Sequence, residues 1–285
     1  MTRMTESEDI AHGPAGWDDA SLIDVGGHRL AFRQAGEAAP VVALEMGLGT
    51  SGSSYDAIAQ RVASFARVVW YDHAGVGCSE PAPKPRTIAD LAADLHTLLH
   101  AVQIPPPYAL VGHSLGGLTV RYYQRQYPTD VAALVLIDSA HEEQRERLLA
   151  TLPPESPDEA AALAQYRQAL AVSWADPQAN DEGIDNLANS ALMRHDHDLG
   201  DLPLVVISRG QAQAPIGWSP ELQTQREQVW RHMQRELAAL SSRSVHLIAE
   251  RSGHLVHKEQ PDIIVEGIRQ AVSLVRNLDA RQSDI

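Results

Sequence analysis

The chain has 285 residues, 44% of them hydrophobic, and its 37 acidic and 23 basic side chains give a formal net charge of −14. That length can bury a large core as one domain with an insertion, and the acidic balance disfavours nucleic acid and anionic membrane surfaces as partners. The polar opening Met1-Thr2-Arg3-Met4-Thr5-Glu6 is no signal peptide, no apolar run approaches the roughly 20 residues of a membrane span, and the single Cys78 rules out an internal disulfide. Together these predict a soluble cytoplasmic protein.

In chain order, residues 1–20 read as a flexible arm. Ser21–Val25 and His28–Gln34, joined at Gly26-Gly27, read as a hairpin. Val41–Met46 is a buried strand leading into Gly47-Leu48-Gly49. A helix over about 54–65 precedes the strand Arg67–Asp72 and the loop His73–Ser79. Thr87 is placed to cap a helix to about Val102, with Ile88, Leu91, Leu95, Leu98 and Leu99 on one face. The apolar run from Tyr108 is a strand, Leu118–Tyr127 a helix, and Val131–Asp138 another strand. Alternating strands and helices predict a mostly parallel sheet covered on both faces. From 142 to 200 no strand signal occurs and several helices are expected. The rhythm returns with Leu202–Ser208, a helix near 219–241, the strand Val245–Ala249 and a helix from Pro261 to about Leu278.

Between the strand from Tyr108 and its following helix lies Gly112-His113-Ser114-Leu115-Gly116, the pattern of a nucleophile elbow. A sharp strand-to-helix turn strains the serine backbone and leaves no room for side chains two residues to either side. Such a turn lifts the Ser114 hydroxyl out of the sheet and sets it at a helix N-terminus, where backbone N–H groups point outward.

With Leu44-Glu45-Met46-Gly47-Leu48-Gly49, Tyr71-Asp72-His73-Ala74-Gly75-Val76-Gly77-Cys78-Ser79, Val111–Gly117 and Ser252-Gly253-His254-Leu255-Val256-His257 in this order, the chain resembles an α/β-hydrolase of the helical-cap kind over nearly its whole length. The resemblance implies an eight-stranded, mostly parallel sheet flanked by helices, with a helical cap inserted after the sixth strand. It divides the chain into the arm 1–20, a core of 21–140 and 201–285, and a cap of 141–200.

The resemblance also implies a serine hydrolase site. A serine hydroxyl needs a base within hydrogen-bond reach, and His254, on the loop after the last strand, matches the family's base. His113 and His257 read as structural. Many family members carry the triad acid just after the strand before the last. Here Ser208-Arg209-Gly210-Gln211 departs from that, and no Asp or Glu occurs from 202 to 220. Asp138, 24 residues past Ser114, fits the branch that puts the acid one strand earlier, a spacing similar to haloalkane dehalogenases and some lactone hydrolases. Glu142, Glu143 and Glu250 are the fallback acids, and Asp72 reads as a strand-end aspartate held by local amides. The oxyanion donors implied are the backbone N–H groups of Leu48 and Leu115, with Gly47 allowing close approach. Met46 stands where relatives often have His.

A serine nucleophile points to an acyl-enzyme and excludes the alkyl-enzyme chemistry of the aspartate-nucleophile branches. Hydrolysis of a carboxylic ester of a small or medium apolar substrate is expected. A lactonase acting on a cyclic ester and a non-catalytic ligand receptor on the same scaffold are the alternatives. Trp174, Leu187, Leu192 and Met193 are candidates to line the substrate cleft or to form cap core.

No cofactor is expected. Gly47-x-Gly49 and Gly75-x-Gly77 lack the full dinucleotide fingerprint. No metal is expected either: His141-Glu142-Glu143 has Arg145 four past the histidine, and His195-Asp196-His197-Asp198 reads as a solvated turn. Substrate identity and oligomeric state are left open.

Overall fold

The structure, a computed structural model, describes residues 17, 19–194, 198–212 and 218–283. Eight strands form one sheet in the order β1-β2-β4-β3-β5-β6-β7-β8. They are β1 (Ser21–Asp24), β2 (Arg29–Ala35), β3 (Val41–Glu45), β4 (Arg67–Tyr71), β5 (Tyr108–His113), β6 (Val131–Ile137), β7 (Leu204–Arg209) and β8 (Ser244–Ala249). β1 and β2 join antiparallel, and every pairing from β4 to β8 is parallel.

Helices cover both faces: α1 (Asp56–Val62), α2 (Ile88–Ala101), α3 (Leu115–Gln126), α4 (Gln144–Leu149), α5 (Ala161–Ala171), α6 (Asn186–Met193), α7 (Pro220–Ala238), α8 (Val256–Glu259) and α9 (Pro261–Ser283). Side chains alternate across a strand, so each central strand feeds two cores. Ala109 and Val111 of β5 join Val135, Ile207 and the inner residues of α1 and α9, including Ile58, Ile264 and Ile268. Tyr108 and Leu110 join Leu134, Val206 and the inner residues of α2 and α3, including Leu95, Leu98 and Tyr123. This two-sided burial explains why these strands read as continuous apolar runs.

Thr87 caps α2 as its position predicts, in a reciprocal box with Asp90. The helix expected over 54–65 is shorter, a 3-10 turn at Gly52–Tyr55 followed by α1, while α9 runs five residues past the expected end. Between β6 and β7 lie α4, α5, α6 and a single bridge of Arg86 to Ile184.

Trp17 departs from the expectation of a flexible arm through residue 20. It is 1% exposed, because its ring fills the space over Gly52 and its Nε1 donates to Asp56 Oδ1 at 3.1 Å. Asp19 pairs with Arg33. The His195–His197 tract lies outside the described residues. Among the described residues no helix is long and apolar enough to cross a membrane.

Candidate active site

The turn between β5 and α3 is as tight as its glycines require. A Cβ on Gly112 would lie 2.3 Å from the Gly116 carbonyl oxygen, and one on Gly116 would lie 2.4 Å from that of Glu45. Ser114, with φ of 53° and ψ of −117°, precedes the first turn of α3. A non-glycine residue keeps such a conformation only where its surroundings hold it. The holding bonds are local: the Ser114 carbonyl accepts the N–H of Gly117 at 3.0 Å and of Ala140 at 2.9 Å. The second of these ties the elbow to the end of β6, where Asp138 also takes a positive φ of 37°.

The loop after β8 brings His254 to this place. Its carbonyl accepts from His113 Nε2 at 2.9 Å, and Glu259 accepts the Gly253 N–H at 2.6 Å. His254 Nε2 lies 3.0 Å from Ser114 Oγ and its Nδ1 lies 2.6 Å from Asp138 Oδ2. A carboxylate can only accept at neutral pH, so Nδ1–H donates to Asp138 and Nε2 is left to accept the serine proton. The fold therefore joins three side chains separated by 24 to 140 positions. Asp138 is fully buried, whereas the His254 side chain keeps 26% of its exposure.

Two residues that the sequence reading missed hold Asp138, and a third holds one of them. Arg209, the last residue of β7, donates Nη1 to Asp138 Oδ2 at 3.1 Å and its backbone N–H to Oδ1 at 3.2 Å. Trp230 Nε1 donates to Oδ1 at 2.8 Å, and the Arg209 guanidinium, 4.4 Å from the Trp230 ring centroid, also reaches Glu227 Oε2 at 3.2 Å. Burial pushes the Asp138 carboxyl up, but the His254, Arg209 and Trp230 contacts outweigh it and hold the pKa at about 2. A charge closing the apolar run Leu204–Ser208 was the available signal, since a buried arginine needs a partner.

A second buried network adjoins the turn after β3. His73 Nε2 lies 2.9 Å from Glu45 Oε1 and its Nδ1 lies 2.9 Å from Glu182 Oε2, with both ring and carboxylates at 0–1% exposure. Only an imidazolium donates from both nitrogens. Burial presses its pKa down, and the two carboxylates override that, holding it well above the ordinary value. Tyr71 donates its hydroxyl to Glu45, and the Gly49 N–H donates to Glu182. Glu182, from the segment between β6 and β7, thus grips the Gly47-Leu48-Gly49 turn. That turn abuts the nucleophile: a Cβ on Gly47 would lie 3.0 Å from His113 Nδ1 and 3.3 Å from Ser114 Cβ.

The other sequence candidates sort as follows. Leu115 is buried at the first position of α3, and Leu48 is 39% exposed at the turn. Met193 is fully buried with Ile88, Leu91, Leu115, Leu118 and Ile184, so it supports the elbow from within a core and lines no open cleft. Leu192 packs against the same cluster, and its carbonyl accepts from Arg125 at 2.9 Å. Trp174 meets α6, with its carbonyl 3.5 Å from Asn186 Nδ2, and Leu187 is 40% exposed. A cleft of about 440 Å³ beside α7 is lined by Thr151, Pro153, Ala160, Leu163, Trp218 and Leu222, without Ser114 or His254. Of the fallback acids, Glu142 pairs with Arg121 at 2.8 Å and Glu143 with Arg147 at 2.6 Å. Asp72 is held by Gly52 N–H, Cys78 N–H and the Ser51 hydroxyl.

Comparison with known proteins places the fold. The model of a family described as alpha/beta hydrolase fold matches residues 40–191. The uncharacterized protein YqjL of Bacillus subtilis is 23% identical over 229 residues, covering 80% of this chain and 82% of that one. A putative carbamate hydrolase, RutD of Cronobacter turicensis, is 38% identical over 103 residues, 35% of this chain and 38% of its own length. Among solved structures, the enol-lactonase of Burkholderia xenovorans superposes with a TM-score of 0.61 at 21% identity, covering 89% of this chain and all of that one. At that identity the likeness is one of fold.

Proposed function

The chain belongs to the α/β hydrolase fold family, and from that premise we propose that it is a serine hydrolase cleaving a carboxylic ester of a small or medium apolar substrate through an acyl-enzyme. The observation that carries this reading is the relay of 3.0 Å from Ser114 Oγ to His254 Nε2 and 2.6 Å from Nδ1 to Asp138. In this reading Ser114 Oγ attacks the ester carbonyl carbon while His254 Nε2 takes the hydroxyl proton. Asp138 holds the tautomer and stabilises the imidazolium. The tetrahedral oxyanion is met by the N–H groups of Leu115 and Leu48, each such donor contributing about 3 kcal/mol. His254 then gives its proton to the departing alkoxide, and water repeats the sequence on the acyl group.

Arg209 and Trp230 act as positioning residues for Asp138. Glu45, His73 and Glu182 do the same for the Leu48 turn, so that Glu182, from the proposed cap, also braces the proposed oxyanion site. The test is turnover of p-nitrophenyl butyrate by the purified chain and its Ser114→Ala variant. A loss on the order of 10⁶-fold in kcat is expected, and unchanged turnover removes the serine from the mechanism. Stronger competition by a small lactone than by linear esters would move the substrate class to ring esters.

A further inference from the structure

Among the described residues, His96, His100 and Asp130 bring one ligand atom each to within 4.8 Å of one another. We propose that these three side chains form a binding site for a divalent transition ion of the zinc class, at the end of the parallel strands opposite the candidate active site.

The two histidines stand four apart on α2, a spacing that puts both rings on one helical flank, with ring centroids 4.1 Å apart. Asp130 enters from the turn before β6. Its Oδ2 lies 3.7 Å from His96 Nδ1, too long for a hydrogen bond. Two ligand atoms held tetrahedrally at 2.0–2.1 Å from one ion sit about 3.4 Å apart, so a small closing movement completes the pair.

The surroundings orient the His96 ring. Its ring stacks on Tyr127 at 3.9 Å and 7°, and Tyr123 OH lies 3.1 Å from its Nδ1. The ion competes with that phenol for Nδ1. His100 is exposed, so the ion enters from solvent and water fills its remaining position. Two imidazoles and one carboxylate suit zinc, nickel or copper and not the all-oxygen preference of calcium or magnesium. Asp130 precedes β6 and Asp138 follows it, which separates this site from the Asp138 end of the relay by roughly 25 Å along the strand. The ion therefore staples α2 to the α3–β6 connection and takes no part in ester cleavage.

The test uses the untagged full chain, stripped with chelator and titrated with Zn²⁺ by calorimetry and thermal melting. One ion per chain and a rise in Tm are expected, with esterase turnover unchanged. His100→Ala, at an exposed position, should fold as the parent does and weaken binding by at least about tenfold. Asp130→Asn should weaken it as well, and His195→Ala/His197→Ala should leave it intact. Absence of a zinc-dependent Tm rise overturns the proposal. So does an equal rise in His100→Ala, or loss of binding only in the His195/His197 variant.

Discussion

Two buried charge networks flank Ser114, and they are built in opposite senses. On one side a carboxylate, Asp138, is held between an arginine and an imidazole. On the other an imidazole, His73, is held between two carboxylates. The first stays open at one end, because His254 keeps a quarter of its side chain exposed and faces the serine hydroxyl. The second is closed throughout. The difference separates two tasks: an open-ended relay moves a proton, whereas a closed one fixes the backbone that it grips. Each network also spans distant segments, so each ties the core to an element outside its own strand.

Removing charge from each side breaks the comparison most sharply at Asp138. Asp138→Asn should lower kcat for p-nitrophenyl butyrate by about 10⁴-fold, because an amide cannot stabilise the imidazolium. It should also lower the unfolding midpoint, since Arg209 is left with Glu227 as its one buried anionic partner. A loss below tenfold would move the acid's role elsewhere. On the closed side, Glu182→Gln keeps the shape and weakens the hold on Gly49. A fall in kcat of roughly tenfold to a hundredfold with little change in KM is expected if Leu48 supplies an oxyanion donor, whose complete removal costs 10²–10³-fold. An unchanged kcat would confine that network to stability.

Arg209→Met should cost less than Asp138→Asn, about tenfold in kcat, because Trp230 and His254 still hold the carboxylate. A loss equal to that of Asp138→Asn would show that the cation, and not the carboxylate's own hydrogen bonds, sets the relay.

The smallest effect is in stability against pH. His257 is buried against Tyr55 with no hydrogen-bond partner for either ring nitrogen among the described residues, and desolvation lowers its pKa to about 4. A folded-state pKa below the unfolded value of about 6.5 means that the unfolded chain binds the extra proton between those limits. Stability from this group is complete above about pH 6.5 and lost as pH falls through about 4. His113, lowered by burial and by the neighbouring His254 and His257, acts in the same direction. His73 has the opposite sign: its contribution is complete below about 6.5 and fades only as pH rises through its raised folded-state value. Thermal midpoints should therefore fall from pH 7 to pH 5, and His257→Phe should flatten that slope. An identical slope in the variant would remove His257 from the account. Asp138 adds a further loss only below its ordinary 3.8, as pH approaches about 2.

The sheet was legible because its strands are buried on both faces and announce themselves as apolar runs. The elbow was legible because its glycines answer to backbone contacts under 2.5 Å. Ser114, His254 and Asp138 could be named from motif order, and the fold sets their side chains within hydrogen-bond distance. Arg209, Trp230, Glu45 and Glu182 could not, since their partners lie up to 133 positions away and only tertiary contact reveals them. Met193 stood open between cleft and core for a related reason: helical spacing marks an apolar face without saying which of the two it meets, and here it meets a core. The His96–His100 pair was readable at i, i+4, but Asp130 joins it only through the packing of α2 on α3.

The most direct test of the relay is covalent labelling by a fluorophosphonate, read by intact mass and peptide mapping. One phosphonyl group on Ser114, greatly slowed in His254→Ala, is the result this account requires. No adduct, an adduct on another residue, or equal labelling without His254 would contradict it.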